Sequence, residues 1–286
     1  MSDISNTFVI GDDNWQTVIN PVVDGHRMSS GLIKRDYLAY PQGYVGAAPP
    51  FSIDDMPLIP MEEWPERIAD MEATKSRLSD MYSKGNNGGR IPSLDQNGQG
   101  YCWAYSTAAC IQLLRCKSNK PYVPLSAHSV ACVIKNFRDQ GGWGAASLEF
   151  ATDRGYVPQS LWPAKSMSRS YDTAENWIAA KEFRVTEGWV DLQPAAYDRD
   201  MSIAQVGTCL LNRIPCIFDM NWWGHSIGGM DLVDVYPNRS ATDSRRYGTR
   251  IKNSWTDNWG DHGEGVLKDS KAFPDGGAAP RATWGG

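Results

Sequence analysis

Residues 96–106 read QNGQGYCWAYS, and an apolar helical pattern begins at Cys102 within this stretch. The sulfur of Cys102 is therefore expected at the start of a helix. The positive end of a helix dipole stabilises a thiolate, which is the nucleophilic form of cysteine. Although an isolated buried cysteine more often has a structural role, Cys102 is a candidate nucleophile because of these neighbours.

Two later segments supply the partners that a nucleophilic cysteine needs. GHSI at residues 224–227 precedes an apolar strand pattern, and KNSW at residues 252–255 is followed by Trp259 and Gly260. A histidine can take the thiol proton, and a neighbouring side-chain oxygen can orient the imidazole ring. The sequence therefore offers His225 as the base and Asn253 as the residue that orients it.

The three segments resemble, in the same chain order, the motifs of the papain family of cysteine peptidases. A glutamine six residues before the cysteine, a glycine two residues before it and a tryptophan after it all match. The resemblance implies a catalytic triad of Cys102, His225 and Asn253, with Trp255 shielding the contact between the last two. It also implies that Gln96 and the backbone N–H of Cys102 stabilise an oxyanion. The resemblance covers residues from about 90 to about 270.

A weaker match lies at QGGW, residues 140–143. In the family, a glycine pair at this place lends its backbone to an extended substrate, which pairs as an added strand. Gly141 and Gly142 are therefore predicted to bind substrate. A tight turn is the alternative interpretation of the same glycines.

The chain departs from the family pattern at three positions. Gln99 stands where the family usually has a disulfide cysteine, Tyr101 replaces a small residue, and Thr256 replaces a glycine. The six cysteines also lack CxxC spacing, so we expect free thiols, no disulfide and no zinc site. Tyr101 is expected to crowd the cleft near the nucleophile.

The pattern along the chain predicts an α+β fold with two lobes and an active-site cleft between them. Residues 91–183 are predicted to form a helical lobe that carries Cys102, and residues 184–286 a strand-rich lobe that carries His225 and Asn253. Residues 1–90 are predicted to form an N-terminal extension. It comprises a Pro-rich arm, an amphipathic helix over residues 62–82 and a Gly/Asn-rich linker over residues 83–90.

The extension has two possible roles that the sequence does not separate. In one, residues 1–60 contact the enzyme body, or neighbouring subunits in a homo-oligomer or larger assembly. In the other, the extension inhibits the enzyme, and residues 36–60 run through the groove beside Cys102.

Composition argues against several classes of protein. The net charge of −5 comes from interspersed acids and bases, so nucleic-acid binding is not expected. No apolar run reaches the length needed to cross a bilayer, and the first residues lack the pattern of a secretion signal. We therefore expect no membrane association and a location in the cytoplasm or within a larger particle. No cofactor or metal is expected.

These features favour a cysteine peptidase that hydrolyses peptide or isopeptide bonds in a peptide or protein substrate, through an acyl-thioester on Cys102. One alternative is an acyl transferase of the transglutaminase type, with Asp231 or Asp234 as the acid. Another is a structural or assembly protein that has kept a papain-like fold without activity. Gln96 and the motif around Asn253 favour the peptidase.

Overall fold

Among the residues that the structure describes, the α-helices lie in the first two thirds of the chain, apart from one that packs on the sheet. The computed structural model of this 286-residue protein describes residues 4, 7–19, 21–36, 39, 48–84 and 90–281. The helices in these ranges are α1 (Trp64–Ala73), α2 (Leu78–Lys84), α3 (Cys102–Lys117), α4 (Ala127–Ile134), α5 (Gly144–Asp153), α6 (Ala174–Ala180) and α7 (Arg199–Leu211).

Most of the strands follow α6 and form one mixed sheet. The strands in the described ranges are β1 (Val9–Ile10), β2 (Val22–Val23), β3 (His26–Arg27), β4 (Trp189–Leu192), β5 (Cys216–Met220), β6 (His225–Asp234), β7 (Tyr247–Lys252), β8 (Glu264–Leu267) and β9 (Gly276–Pro280). Seven of them form a sheet in the order β1-β8-β7-β6-β5-β9-β4. Only β1 pairs in parallel within it, and β2 and β3 form a separate hairpin. The α+β class predicted from the sequence is confirmed.

The described residues form two large apolar cores, and α3 contributes to the one on the helical side. One core contains aromatic residues of the sheet side such as Phe218 and Trp255, and the other contains Trp103 and its neighbours in α4 and α5. Every residue from Cys102 to Cys116 is buried, because β6 packs on one side of α3 and α5 on the other. A helix enclosed in this way holds its first residue rigidly.

The helix predicted over residues 62–82 is two helices instead of one. Helix α1 ends at Ala73 and α2 begins at Leu78, and Lys75 between them has a φ of 54°, in the left-handed region. The amide of Ser76 bonds to the carbonyl of Met71, which closes the end of α1. Side chains from both helices are buried, so a periodic pattern continues across the break and hides it.

The N-terminal extension is built into the body of the protein. Strand β1 pairs with β8 at the edge of the main sheet, and Ile10 has no exposed surface. Trp64 of α1 is likewise fully buried in the sheet-side core. Residues 85–89 of the linker lie outside the described residues, as do residues 40–47 of the Pro-rich arm.

No helix among the described residues is both long enough and apolar enough to span a bilayer.

Candidate active site

Cys102 is the first residue of α3 and its side chain is completely buried. The backbone amide of Gly31 donates to its sulfur at 3.2 Å, and the backbone N–H of Ser226 also points at it. Ser226 follows His225 at the start of β6, and its hydroxyl lies 3.0 Å from that of Ser106 on α3. The contact between α3 and β6 thus brings the cysteine and the histidine to the same place.

His225 and Asn253 form the hydrogen bond that the sequence motifs predict. The Nε2 atom of His225 lies 2.8 Å from Oδ1 of Asn253, and this oxygen also accepts from the amide of Ser254 at 2.8 Å. Because Oδ1 is an acceptor only, Nε2 must carry the hydrogen and Nδ1 of the neutral ring has a free lone pair. Nδ1 is buried and has no hydrogen-bond partner among the described residues. This nitrogen is the one left to take a thiol proton.

Trp255 covers the histidine ring. The two rings are stacked with centroids 4.5 Å apart, and Trp255 has no exposed surface. Trp223 packs against both of them, at 5.1 Å from His225 and 5.5 Å from Trp255. These indoles exclude water from the bond between His225 and Asn253, which strengthens it.

Gln96 is buried with its side-chain amide directed into the cleft. Its Oε1 accepts from the hydroxyl of Ser254 at 2.7 Å, so the orientation of the amide is fixed. Its Nε2 then donates to the carbonyl oxygens of Ser29 and Gln99, both at 2.7 Å. Gln96 therefore already binds a peptide carbonyl in the position expected for an oxyanion donor.

A segment of the chain itself fills the cleft. Residues 29–33, called the blocking segment below, pass between the nucleophile and the predicted substrate-binding glycines. Gly142 donates to the carbonyl of Gly31 at 2.9 Å, and its own carbonyl accepts from Ile33 at 3.1 Å. Leu32 donates to the carbonyl of Gly224, next to His225, at 3.0 Å. The blocking segment thus pairs as an added strand where a substrate is expected.

Two glycines make this close approach possible. A Cβ atom on Gly142 would lie 2.5 Å from the ring of Trp103, and one on Gly31 would lie 2.0 Å from the carbonyl oxygen of Gly100. Gly141 also faces the carbonyl of Gly31. The inhibitory role predicts residues 36–60 in the groove. Among the described residues it is residues 29–33 that lie there, and residues 37, 38 and 40–47 lie outside the described residues.

The filled cleft keeps the cysteine and histidine neutral. Burial raises the pKa of the Cys102 thiol to about 12, against the opposing effect of the amides of Ser226 and Gly31. Burial likewise lowers the pKa of His225 to about 4, against the effect of its bond to Asn253. A thiolate–imidazolium pair needs more polar surroundings than this closed cleft provides.

The depressed pKa of His225 predicts how stability changes with pH. Its pKa is about 4 in the folded protein and near 6.5 when the ring is exposed, so its neutral form is favoured by folding. The resulting stability is present above pH 6.5 and is lost as the pH falls to about 4, by about 3 kcal/mol in the free energy of unfolding. Denaturant unfolding between pH 7 and pH 4 measures this.

His128 contributes a similar dependence, since burial also lowers its pKa to about 4. The test is therefore the difference between wild type and His225→Gln, which keeps His128. The free energy of unfolding should fall less steeply with acid in the variant. Parallel pH profiles for the two proteins would contradict the assignment of a neutral buried ring at His225.

The departures from the family pattern have structural roles. Tyr101 does not crowd the cleft, because its side chain is buried away from it and its hydroxyl bonds to the carbonyl of Arg138 at 2.8 Å. Gln99 bonds to Nε2 of buried His128, whose Nδ1 lies 3.0 Å from the hydroxyl of Tyr105. The amide of Gly100 donates to Asp139 at 2.8 Å. Polar contacts thus join the loops around the nucleophile, and all six cysteines are free.

Thr256 occupies the position where the family has glycine, and its φ is 65°. A β-branched residue in the left-handed region is strained. Its hydroxyl donates to Asp24 at 2.9 Å, and Asn258 donates to the same carboxylate at 2.6 Å. The hairpin of β2 and β3 therefore holds the loop after Trp255 in place.

The acids that a transglutaminase-type mechanism would need lie elsewhere. Asp231 accepts from the amide of Leu78 at 2.9 Å, where it caps α2, and Asp234 pairs with Arg246 at 2.5 Å. The residue that holds the histidine is Asn253 instead. No group of three or more metal-ligating side chains is assembled within the described ranges.

The structure brings the site residues predicted from the sequence around one cleft: Cys102, His225, Asn253, Gln96, Gly141, Gly142 and Trp255. Two further residues of the site were not predicted, Ser254, which orients the amide of Gln96, and Gly31, which contacts the sulfur. Ser254 lies inside the KNSW segment, so the motif carried a signal for it. The short segment around Gly31 shows no pattern that links it to the cleft.

Comparison with known proteins points to the same class of enzyme. The chain is 24% identical to Zingipain-2 of Zingiber officinale over 212 residues, which cover 70% of the chain and 91% of that protein. It is 22% identical to Cathepsin K of Mus musculus over 208 residues, covering 69% of the chain and 62% of that protein. No family model matches the chain.

The fold is also found among solved structures. Xylellain, a cysteine protease from Xylella fastidiosa, superimposes with a TM-score of 0.57 at 15% sequence identity. The match covers 90% of the chain and 97% of Xylellain. The two-lobe arrangement predicted from the motifs is therefore the fold of this chain.

Proposed function

Because the chain is a divergent papain-like cysteine peptidase, we propose that it hydrolyses peptide or isopeptide bonds through an acyl-thioester on Cys102. The observation that carries this proposal is the binding of a peptide carbonyl, that of Ser29, by Gln96 beside the buried pair of His225 and Asn253. The cleft thus already recognises a peptide backbone. In catalysis a substrate takes the place of the blocking segment.

Each residue has a defined part in this reaction. Nδ1 of His225 takes the proton of the Cys102 thiol, and the sulfur attacks the carbonyl carbon of the substrate. Asn253 keeps the ring in the required tautomer and stabilises the imidazolium that forms. Gln96 and the backbone N–H of Cys102 donate to the oxyanion.

The two bond-breaking steps restore the enzyme. The C–N bond of the substrate breaks, His225 protonates the leaving amine, and the acyl group remains on the sulfur as a thioester. Water then attacks the thioester while His225 accepts its proton, and the acid product leaves with one oxygen from water. The thiol regains its proton from His225.

The backbone of Gly141 and Gly142, called the glycine strip below, binds the backbone of the substrate. Gly142 offers one donor and one acceptor, which the blocking segment now uses. A substrate that extends along the same strip makes equivalent main-chain bonds and aligns its carbonyl with Gln96.

The experiment uses peptides and branched isopeptides incubated with the protein in water enriched in oxygen-18, with an excess of a primary amine. Hydrolysis places one heavy oxygen in the new carboxyl group, whereas acyl transfer gives an amide of the added amine. We expect the heavy carboxyl product from the protein and from its Gly31→Leu variant, with more from the variant. Amide products without any heavy carboxyl product, or no product at all from a folded variant with an accessible thiol, would overturn the proposal.

A further inference from the structure

The chain on the N-terminal side of the blocking segment is fixed to the body of the protein. The carbonyl of Phe8 accepts from Val266 of β8 at 2.9 Å, and the carbonyl of Val18 accepts from the indole of Trp223 at 3.2 Å. Asp24 binds Thr256 and Asn258 beyond the active-site tryptophan. These contacts support the wall of the cleft, so this part of the extension belongs to the folded enzyme.

The chain on the C-terminal side is fixed as well. Residues 49–51 pair with the outer edge of β4, where Asp191 donates to the carbonyl of Pro49 at 2.7 Å and accepts from Phe51 at 3.2 Å. The amide of Ile59 donates to Thr208 of α7 at 3.0 Å, and Trp64 follows in the core. Removal of the whole extension would expose this apolar surface.

One ion pair joins the end of the blocking segment to β4. Arg35 lies two residues after Ile33, and its Nη2 and Nη1 atoms lie 3.1 Å and 3.4 Å from the two oxygens of Asp191. The side chains are 0% and 4% exposed. By contrast, neighbouring Lys34 is exposed. Arg35 is thus the cation of this stretch that is held inside the protein.

We propose that the cleft opens by release of the blocking segment alone, and that the ion pair of Arg35 with Asp191 is the latch that keeps it closed. The contacts of Phe8, Val18 and Asp24 on one side, and those of Pro49, Phe51 and Ile59 on the other, stay in place during opening. This inference rests on the proposed function, because it describes how the same site is regulated.

The chemistry of the pair suits a latch. Two buried charges attract strongly but lose hydration, so the net stabilisation of such a pair is modest while the loss of one partner is severe. Burial raises the pKa of Asp191 to about 6, and the guanidinium of Arg35 opposes this by favouring the charged carboxylate. The pair therefore holds the segment in place, and its separation leaves Asp191 without its buried partner.

The test compares Arg35→Gln with Lys34→Gln, which removes the same charge from the adjacent exposed position. The rate of alkylation of Cys102 by iodoacetamide at pH 7, followed by peptide mass spectrometry, measures opening. Because one partner of a buried pair is lost, we expect about a ten- to hundredfold faster rate in Arg35→Gln. Lys34→Gln should label at the wild-type rate.

Internal controls separate local opening from unfolding. Cys110 and Cys216 are fully buried away from the cleft, so they should stay unlabelled in Arg35→Gln. Hydrogen exchange should speed up at the amides of Gly31 and Ile33 and stay slow at Val266, which bonds to the extension. If Arg35→Gln labels every thiol, Arg35→Lys, which keeps the charge, provides the same comparison with a smaller expected increase.

Each outcome bears on a different claim. Selective labelling of Cys102 in Arg35→Gln without peptide hydrolysis would support the latch and contradict the peptidase function. A wild-type labelling rate in Arg35→Gln, beside fast labelling in Gly31→Leu, would overturn the role of the ion pair as a latch. The conclusion that residues 29–33 block the cleft would still hold. Loss of protection at Val266 together with Gly31 would also overturn it, because the segment would then not move alone.

Discussion

Gly31→Leu should raise the rate of peptide hydrolysis by about ten- to hundredfold over that of the wild-type protein. A Cβ atom at this position would lie 2.0 Å from the carbonyl oxygen and 2.3 Å from the carbonyl carbon of Gly100. Both are backbone atoms beside the nucleophile, so they cannot move aside as a flexible side chain would. Overpacking of this kind costs about 1–3 kcal/mol, and each 1.4 kcal/mol is tenfold in the open fraction.

The matched control is Ile33→Leu, which introduces the same residue two positions away. Ile33 is 42% exposed, so the change adds no clash within the cleft. Initial rates on a fluorogenic peptide, at equal concentrations of protein, provide the comparison. Equal rates for Gly31→Leu and Ile33→Leu, with both proteins folded, would show that the blocking segment does not limit access to Cys102.

Cys102→Ala in the Gly31→Leu background should lower the hydrolysis rate by about 10⁴-fold or more. Without the sulfur no thioester forms, and binding and the oxyanion donors alone leave only a small residual rate. Measurement in the Gly31→Leu background matters because wild-type activity is limited by the blocking segment. Progress curves recorded at high enzyme concentration make a 10⁴-fold decrease in rate measurable.

Cys110→Ala in the same background is the matched control for this change. Cys110 lies two turns further along α3 and is equally buried, so the same atom is removed from the same helix. Its variant should keep the parent rate if it folds. A rate for Cys102→Ala within tenfold of the parent would rule out Cys102 as the nucleophile.

The grouping of the candidate catalytic residues could be predicted because each lies in a short segment with its own local pattern. Cys102 begins a helix whose apolar spacing is visible in the sequence, and His225 begins a strand that contains Ile, Met, Leu and Val. Asn253 lies just after β7, within a motif that also contains Trp255. Local pattern and chain order were sufficient to place these residues around one cleft.

The blocking segment could not be predicted in the same way. Residues 29–33 read SSGLI, which is too short for a periodic pattern and contains no family motif. Their partners, Cys102, Gly142 and Gly224, are distant in sequence and meet only in the folded chain. Main-chain pairing depends little on side-chain identity, so sequence gives no register for it.

Other elements were hidden for related reasons. Strand β1 has only two residues, and β9 reads GGAAP, a composition that gives no strand signal. The break between α1 and α2 depends on Lys75 in a conformation that is usual for glycine or asparagine. In each case the tertiary contacts override the local propensity.

The most direct measurement is the mass of the Gly31→Leu protein after treatment with a peptide-derived epoxide that traps nucleophilic thiols, followed by mapping of the modified peptide. One adduct is expected, on Cys102, formed faster than in wild type. It should be absent in the Gly31→Leu protein that also carries Cys102→Ala. Modification of Cys110, Cys116 or Cys132 in preference to Cys102, or the same rate in wild type and Gly31→Leu, would contradict a peptidase whose nucleophile is covered by residues 29–33.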